Sequence, residues 1–108
     1  MEIELLYFEG CPYYQTTLKY LEEIIMEKKL DVMVKMVKIK NDDDAVKHKF
    51  LGSPTIRVND QDIDPNAREK ENSSMGCRLY LEDGKLMELP SKKMIRHAIE
   101  KSMLETSN

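Results

Sequence analysis

An unbroken apolar segment near the N-terminus most constrains the fold. Leu5 to Phe8 is continuously apolar, which is typical of a strand buried on both faces in the middle of a sheet. Gly10 interrupts this segment, and Pro12 suits the first turn of a helix, where a missing N–H does no harm. Apolar residues then recur at helical spacing to about Lys29. The chain therefore begins with a predicted buried strand over 2–8, a tight turn and a long helix.

The remaining elements follow from β-branched runs, capping residues and turn signals. The predicted order is a strand over 32–39, a helix from Asn41 to about Leu51, a strand from Thr55 to Val58, a loop over 60–76 in which Asp64 to Asn66 is compatible with a short helix, a strand from Cys77 to Leu81, a turn over 82–85, and a helix opened by Pro90 and Ser91. A strand–helix–strand start implies a parallel pair joined by a right-handed crossover. We therefore expect an α/β fold with a mixed four-stranded sheet and helices on both faces.

The length and charge of the chain limit its organisation and its partners. With 108 residues it has the size of one domain, residues 1–108, whose tail from residue 105 is expected to fray. Seventeen basic and twenty acidic residues give a net charge of −3, which offers no electrostatic footprint for nucleic acid or an anionic membrane. No membrane-spanning run or signal peptide is apparent. The expected location is the cytoplasm, and the oligomeric state stays open.

The sequence contains no recognisable metal-ligand pattern and no Gly-rich phosphate-binding loop. Neither cysteine has a close Cys or His partner at zinc-ligand spacing. His48 and His97 lie in predicted helices among basic residues and are interpreted as solvated or edge-packed. The acidic run from Asp42 to Asp44 lacks the alternation of a calcium loop and is interpreted as a helix cap. No metal and no bound cofactor are therefore predicted.

Two short motifs carry a resemblance to a known superfamily. Gly10-Cys11-Pro12-Tyr13-Tyr14 lies between the first strand and helix, and Gly52-Ser53-Pro54-Thr55 lies between a short helix and a strand. In these places the motifs make nearly the whole chain resemble the thioredoxin/glutaredoxin superfamily. The resemblance implies a thioredoxin-like fold, Cys11 as the nucleophile and a cis peptide bond before Pro54. It also implies a substrate groove, formed here by Pro12, Tyr13, Ser53, Pro54 and Thr55.

The sequence departs from that superfamily at two points. Tyr14 stands where the second active-site cysteine is usual, so Cys11 has no partner thiol one helical turn along. The Gly-Gly and acidic stretch of the glutathione site is also missing, and Asn59-Asp60-Gln61-Asp62 stands roughly there. The resemblance therefore implies a single-cysteine member, and its usual glutathione-binding motif is not present.

Several roles are open for the two sulfurs and for Tyr14. Cys11 at a helix start favours the reactive thiolate, although Glu9 opposes it. Four roles are open for Cys11: attack on a disulfide, transient pairing with Cys77, binding of a thiophilic metal, or burial without a chemical role. Cys77 is either a resolving thiol or a core residue, and core burial is the preferred expectation because free cysteines are usually buried. The resemblance implies that its end of the strand points away from the active site, which disfavours direct pairing with Cys11 unless the 60–76 loop folds back. Tyr14 either donates a hydrogen bond to the Cys11 thiolate or only packs.

Two main hypotheses of function follow. The first is a thiol–disulfide oxidoreductase acting through Cys11 by a monothiol mechanism, with a protein or low-molecular-weight thiol or disulfide as its partner. It expects Cys11 to be accessible. The second is a non-catalytic binding domain that holds a peptide or partner protein in the groove around Pro54.

Overall fold

The architecture is a mixed α/β fold with a four-stranded main sheet. The computed structural model describes residues 1–68, 73 and 76–106. The elements are β1 (Ile3–Tyr7), α1 (Tyr14–Glu27), β2 (Val34–Lys38), α2 (Asp42–Lys47), β3 (Thr55–Val58), β4 (Gln61–Asp62), a 3-10 turn (Pro65–Ala67), β5 (Tyr80–Glu82), β6 (Lys85–Met87) and α3 (Lys92–Thr106). The sheet order is β2-β1-β3-β4, with β1 parallel to β2 and antiparallel to β3. The predicted fold class, a mixed four-stranded sheet with helices, is confirmed.

Helices cover both faces of this sheet because side chains alternate along β1. Leu5 belongs to the larger apolar cluster, which contains Leu21 of α1 and Ile95 of α3. Leu6 belongs to the other cluster, where it packs with Ala45 of α2. Within the described ranges, no helix combines the length and the apolar character needed to cross a bilayer.

The fourth strand of the sheet is not the predicted one. A two-residue turn at Asn59 and Asp60, both with positive φ, reverses the chain, and Gln61–Asp62 pairs antiparallel with β3. The segment from Cys77 to Leu81 was predicted to supply the later strand, but Tyr80–Glu82 pairs with Lys85–Met87 in a separate hairpin. Since Asp is depleted in strands, nothing local marks so short a strand, and pairing with β3 decides it.

The helix boundaries also differ from prediction. Because α1 begins at Tyr14 after its N-cap Tyr13, Pro12 precedes the helix and does not occupy its first turn. The second helix ends at Lys47, earlier than expected, and Lys49 then adopts a left-handed conformation with φ of 53°.

The last helix runs to Thr106. It therefore includes two of the four residues expected to fray, and residues 107–108 lie outside the described part of the chain.

Candidate thiol site

Cys11 is buried at the end of the first strand. Its backbone N–H donates to the Phe8 carbonyl at 3.1 Å, which folds the chain back on β1, and its side chain is only 4 % exposed. It lies two positions before Tyr13, the N-cap of α1. The expectation of an accessible thiol is therefore wrong. The helix dipole also acts on this sulfur from beyond the first turn, where its effect is weaker.

The tyrosines that follow Cys11 pack beside the turn. The Tyr14 ring stacks on Tyr7 with centroids 4.3 Å apart, and its hydroxyl accepts a hydrogen bond from Gln15 Nε2 at 3.5 Å. Among the described residues, no hydrogen bond joins Tyr14 to Cys11. The carbonyl of Tyr13 accepts from both the N–H and the Oγ1 of Thr17. These contacts favour the packing interpretation of Tyr14.

The acidic neighbour of Cys11 has its own counter-ion. Lys38 Nζ lies 2.8 Å from Glu9 Oε2 at the surface. The hydrogen bond and the charge of Lys38 lower the pKa of Glu9. The negative charge of Glu9 is thus offset by an ammonium group.

The second motif lies at the same end of the sheet as Cys11. Thr55 pairs with Leu6 across β3 and β1, so the preceding residues Ser53 and Pro54 lie beside the end of β1. The Ser53–Pro54 peptide bond is cis, as the resemblance implies. Ser53, Pro54 and Thr55 are all buried, and the Thr55 hydroxyl donates to the Gly52 carbonyl at 2.6 Å. The structure therefore brings the two motifs together.

A later part of the chain covers this second motif. We call residues Gly76–Tyr80 the covering segment. Ser53 N–H donates to the Gly76 carbonyl and Arg78 N–H donates to the Ser53 carbonyl, both at 3.0 Å, which forms a parallel bridge between Ser53 and Cys77. The polar backbone groups of Ser53 that the groove hypothesis assigns to a partner peptide are thus already paired within the chain.

Two buried side chains hold the covering segment in place. Arg78 donates to both carboxylate oxygens of Asp62, at 2.6 and 2.8 Å, and to the Thr55 hydroxyl at 3.2 Å. The Tyr80 hydroxyl donates to the Pro54 carbonyl at 2.5 Å. Burial raises the pKa of Tyr80 well above its usual value. A tyrosine that remains protonated keeps this donor available across the neutral pH range.

In the covering segment and at Leu81, which follows it, the polar side chains are buried and the leucines are exposed, the reverse of what their hydrophobicity favours. Arg78 and Tyr80 are 6 % and 1 % exposed, whereas Leu79 and Leu81 are 55 % and 63 % exposed. No local sequence pattern marks Arg78, Tyr80 or Asp62 as part of this site. An arginine and an acidic residue give no local signal of pairing, because the two residues meet only when β4 has formed.

Cys77 lies on the outer face of the covering segment. It is an exposed free cysteine, whereas Cys11 is a buried one. The expectation that Cys77 is a core residue is therefore wrong. The reason is the alternation of a β-segment: burial of Arg78 places its neighbours Cys77 and Leu79 outward.

The remaining candidates stay apart from the sulfurs. His97 on α3 is exposed, and His48 caps the C-terminus of α2. Asn41 Oδ1 accepts from the Asp44 N–H at 2.9 Å, as expected for a helix cap. In the part of the chain that the structure describes, no three His, Cys, Asp or Glu side chains cluster as metal ligands would.

Comparison with known proteins gives a family. The sequence profile of a domain of unknown function, DUF2703, matches residues 1–99. The chain belongs to the DUF2703 family. No curated protein and no solved structure matches it significantly. The thiol site of this DUF2703 domain is therefore described from its own residues.

Proposed function

We propose that this protein is a thioredoxin-like thiol–disulfide exchange protein in which Cys11 is the essential sulfur. The observation that carries the proposal is the placement of Cys11 at the end of β1, beside the Ser53–Pro54 segment that precedes β3. Among the described residues, no cluster of metal ligands includes this sulfur, and Glu9, two positions before Cys11 in the sequence, is paired with Lys38. Such a site favours a defined thiol over a metal centre.

The chemistry is exchange between a thiolate and a disulfide. The thiolate attacks one sulfur of an external disulfide, a new sulfur–sulfur bond forms, and the other half leaves as a thiolate. A low-molecular-weight thiol or dithiol then reduces the mixed disulfide and returns the protein thiol. Burial of Cys11 slows its direct encounter with bulky disulfides, so a protein substrate needs another point of entry.

The alternative function, peptide binding in a groove around Pro54, is less well supported. An extended peptide binds a sheet edge through unpaired backbone N–H and C=O groups. At Ser53 both groups are hydrogen-bonded to the covering segment. A peptide would have to displace Gly76–Arg78 before it could bind there.

Removal of the buried sulfur tests the proposal. The assay measures reduction of a peptide–glutathione mixed disulfide with a dithiol as the final reductant, and Cys11→Ser and Cys11→Ala should each lose at least about tenfold in rate. The matched control is Ala45→Ser, which changes a similarly buried residue in the smaller apolar cluster, the one that contains Leu6, and keeps both sulfurs. Full activity in both Cys11 variants would contradict the proposal.

A further inference from the structure

The two cysteines lie on opposite sides of one short piece of backbone. Continuing the antiparallel register from Leu6 and Thr55 sets Ser53 opposite Phe8. Phe8 accepts the N–H of Cys11, and Ser53 is bridged to Cys77. Adjacent strands lie about 4.8 Å apart. Cys11 therefore lies near one side of the Ser53–Pro54 segment and Cys77 is bridged to its other side, although the two cysteines are 66 positions apart in the sequence.

Tyr80 provides a second link between the covering segment and Cys11. Tyr80 follows Cys77 by three positions, and its hydroxyl donates a hydrogen bond to the Pro54 carbonyl. Burial is the main cause of the raised pKa of Tyr80, and a negative charge on Cys11 is among the smaller causes. The phenol that anchors the covering segment thus binds the Ser53–Pro54 segment that both cysteines adjoin.

A buried hydroxyl without a hydrogen-bond partner lies at the same place. Ser53 is 0 % exposed, and among the described residues its Oγ has no hydrogen-bond partner. Residues paired in a β-bridge project their side chains to the same face, so Ser53 Oγ and the Cys77 side chain share a face. Buried hydroxyls normally find a partner, and a sulfur anion at this position would accept a hydrogen bond from Ser53.

The two sulfurs differ in access, which sets the order in which they meet an external disulfide. Cys77 is exposed and Cys11 is buried. Exchange rates depend on access to the attacking thiolate as well as on its ionisation. Leu79 and Leu81 follow Cys77 at alternate positions and are also exposed. Their apolar surface would suit an external disulfide that carries apolar or aromatic groups.

We propose that Cys77 is the thiol that external disulfides meet first, and that Cys11 then takes over the bond to form a Cys11–Cys77 disulfide. This inference rests on the proposed function. The Cys77 thiol loses its proton to solvent and attacks the external disulfide, which releases one thiolate and leaves a mixed disulfide on Cys77. The Cys11 thiolate then attacks the Cys77 sulfur and releases the second thiolate. The protons of both cysteines pass to the two released thiolates through solvent. The protein loses two electrons, the external disulfide gains them, and two equivalents of an external thiol, or one dithiol, restore the reduced protein.

Reaction of the full chain with the aromatic disulfide dithiobis(nitrobenzoate) tests the order of events. The wild-type protein should release two equivalents of thionitrobenzoate and lose the mass of two hydrogens without retaining an adduct. Cys11→Ser and Cys11→Ala should release one equivalent at the wild-type initial rate and keep an adduct on Cys77. Cys77→Ser should react at least about tenfold more slowly, because only the buried sulfur remains.

Two controls are needed. One separates the solvent access of each thiol from its intrinsic reactivity, and the other separates the proposed function of Cys11 from the proposed role of Cys77. In concentrated urea, the single-cysteine variants should react at similar rates, since unfolding exposes both thiols. A folded Cys77→Ser protein that reacts as fast as wild type would overturn the inference, as would a wild-type product carrying two adducts. If Cys77→Ser also retains full turnover with the peptide–glutathione disulfide while the Cys11 variants lose it, the proposed function stands and only the inference fails.

Discussion

Arg78 and Asp62 form a bidentate ion pair in the interior of the protein. The Nη1–Oδ2 and Nη2–Oδ1 distances are 2.6 and 2.8 Å, and the side chains are 6 % and 7 % exposed. The guanidinium also lies 4.4 Å from the centre of the Tyr80 ring. A buried pair of this kind contributes geometric definition more than net stability, because removing both charges from water costs nearly as much as their attraction returns. It fixes the covering segment to β4.

Neutralising Asp62 should be strongly destabilising. In Asp62→Asn the Arg78 charge stays buried without a counter-ion, so the free energy of unfolding should fall by about 3–5 kcal/mol, measured by urea denaturation. The matched control is Glu23→Gln, which breaks the partly exposed ion pair with Lys92 and should change stability little. Similar losses in the two variants would contradict the assignment of a buried pair.

Gly52 should not tolerate a side chain. Its φ is +121°, and a Cβ there would lie 2.9 Å from Arg78 Cβ. Gly52→Ala should therefore lose at least about 2 kcal/mol of stability through strain and displacement of the covering segment. Gly84 also has a positive φ, but a Cβ there would meet no atom within 4 Å. Gly84→Ala should therefore lower the free energy of unfolding by only about 1 kcal/mol. Thermal unfolding of both variants measures the difference, and an equal loss would argue against the close approach of Arg78.

The Tyr80 hydroxyl should be needed for stability. In Tyr80→Phe the buried Pro54 carbonyl loses its donor, and the expected loss is about 1–3 kcal/mol. Tyr14→Phe removes a hydroxyl that has a single long contact at the surface, and its effect should stay within about 0.5 kcal/mol. Guanidinium titration of the two variants makes the comparison. The contact is absent if Tyr80→Phe is as stable as wild type.

Alkaline pH should destabilise the protein through Tyr80. Burial raises the pKa of this phenol in the folded state, while an unfolded tyrosine ionises near about 10. The stabilisation is thus fully present below that value and is lost as the pH rises from the unfolded toward the folded pKa. The midpoint of thermal unfolding should fall steeply above pH about 10 in wild type. The fall should be shallower in Tyr80→Phe, and parallel curves would contradict the burial effect.

The cap of α2 should support the smaller apolar cluster. Asn41→Ala removes the acceptor for the Asp44 N–H and should lower stability by about 1 kcal/mol, because this N–H then has no side-chain partner. Asn41→Ser should retain most of the stability, since serine caps helices well. Urea denaturation of the two variants distinguishes capping from general damage at this position, and equal losses would count against a capping role.

Local patterns predicted those elements in which neighbouring residues decide the structure. Thr55–Val58 was predicted with its observed bounds, because a β-branched run ends there at two turn-forming residues. The turn over 82–85 was also predicted, and Asp83 and Gly84 in it have φ angles of 53° and 77°, as a turn that requires positive φ demands. Propensity and turn chemistry suffice at these places.

Long-range pairing explains what the sequence did not predict. Gln61–Asp62 became a strand because β3 offered it a partner, and burial of Arg78 depended in turn on Asp62. That chain of dependence placed Cys77 outward, whereas the usual burial of free cysteines had favoured a core position. Cys11 was predicted as the site candidate from a local motif, but its exposure depended on how the rest of the chain packs around the end of β1.

The outer position of β2 also affects how copies of this chain behave toward one another. A strand at the margin of a sheet presents backbone donors and acceptors that can template association. In this strand of five residues, Lys35 and Lys38 are exposed. Ammonium groups hold their hydration shells tightly, so a second strand docking alongside would have to remove water from Lys35 and disturb the ion pair between Lys38 and Glu9. This margin therefore favours dispersed molecules over strand-to-strand aggregates.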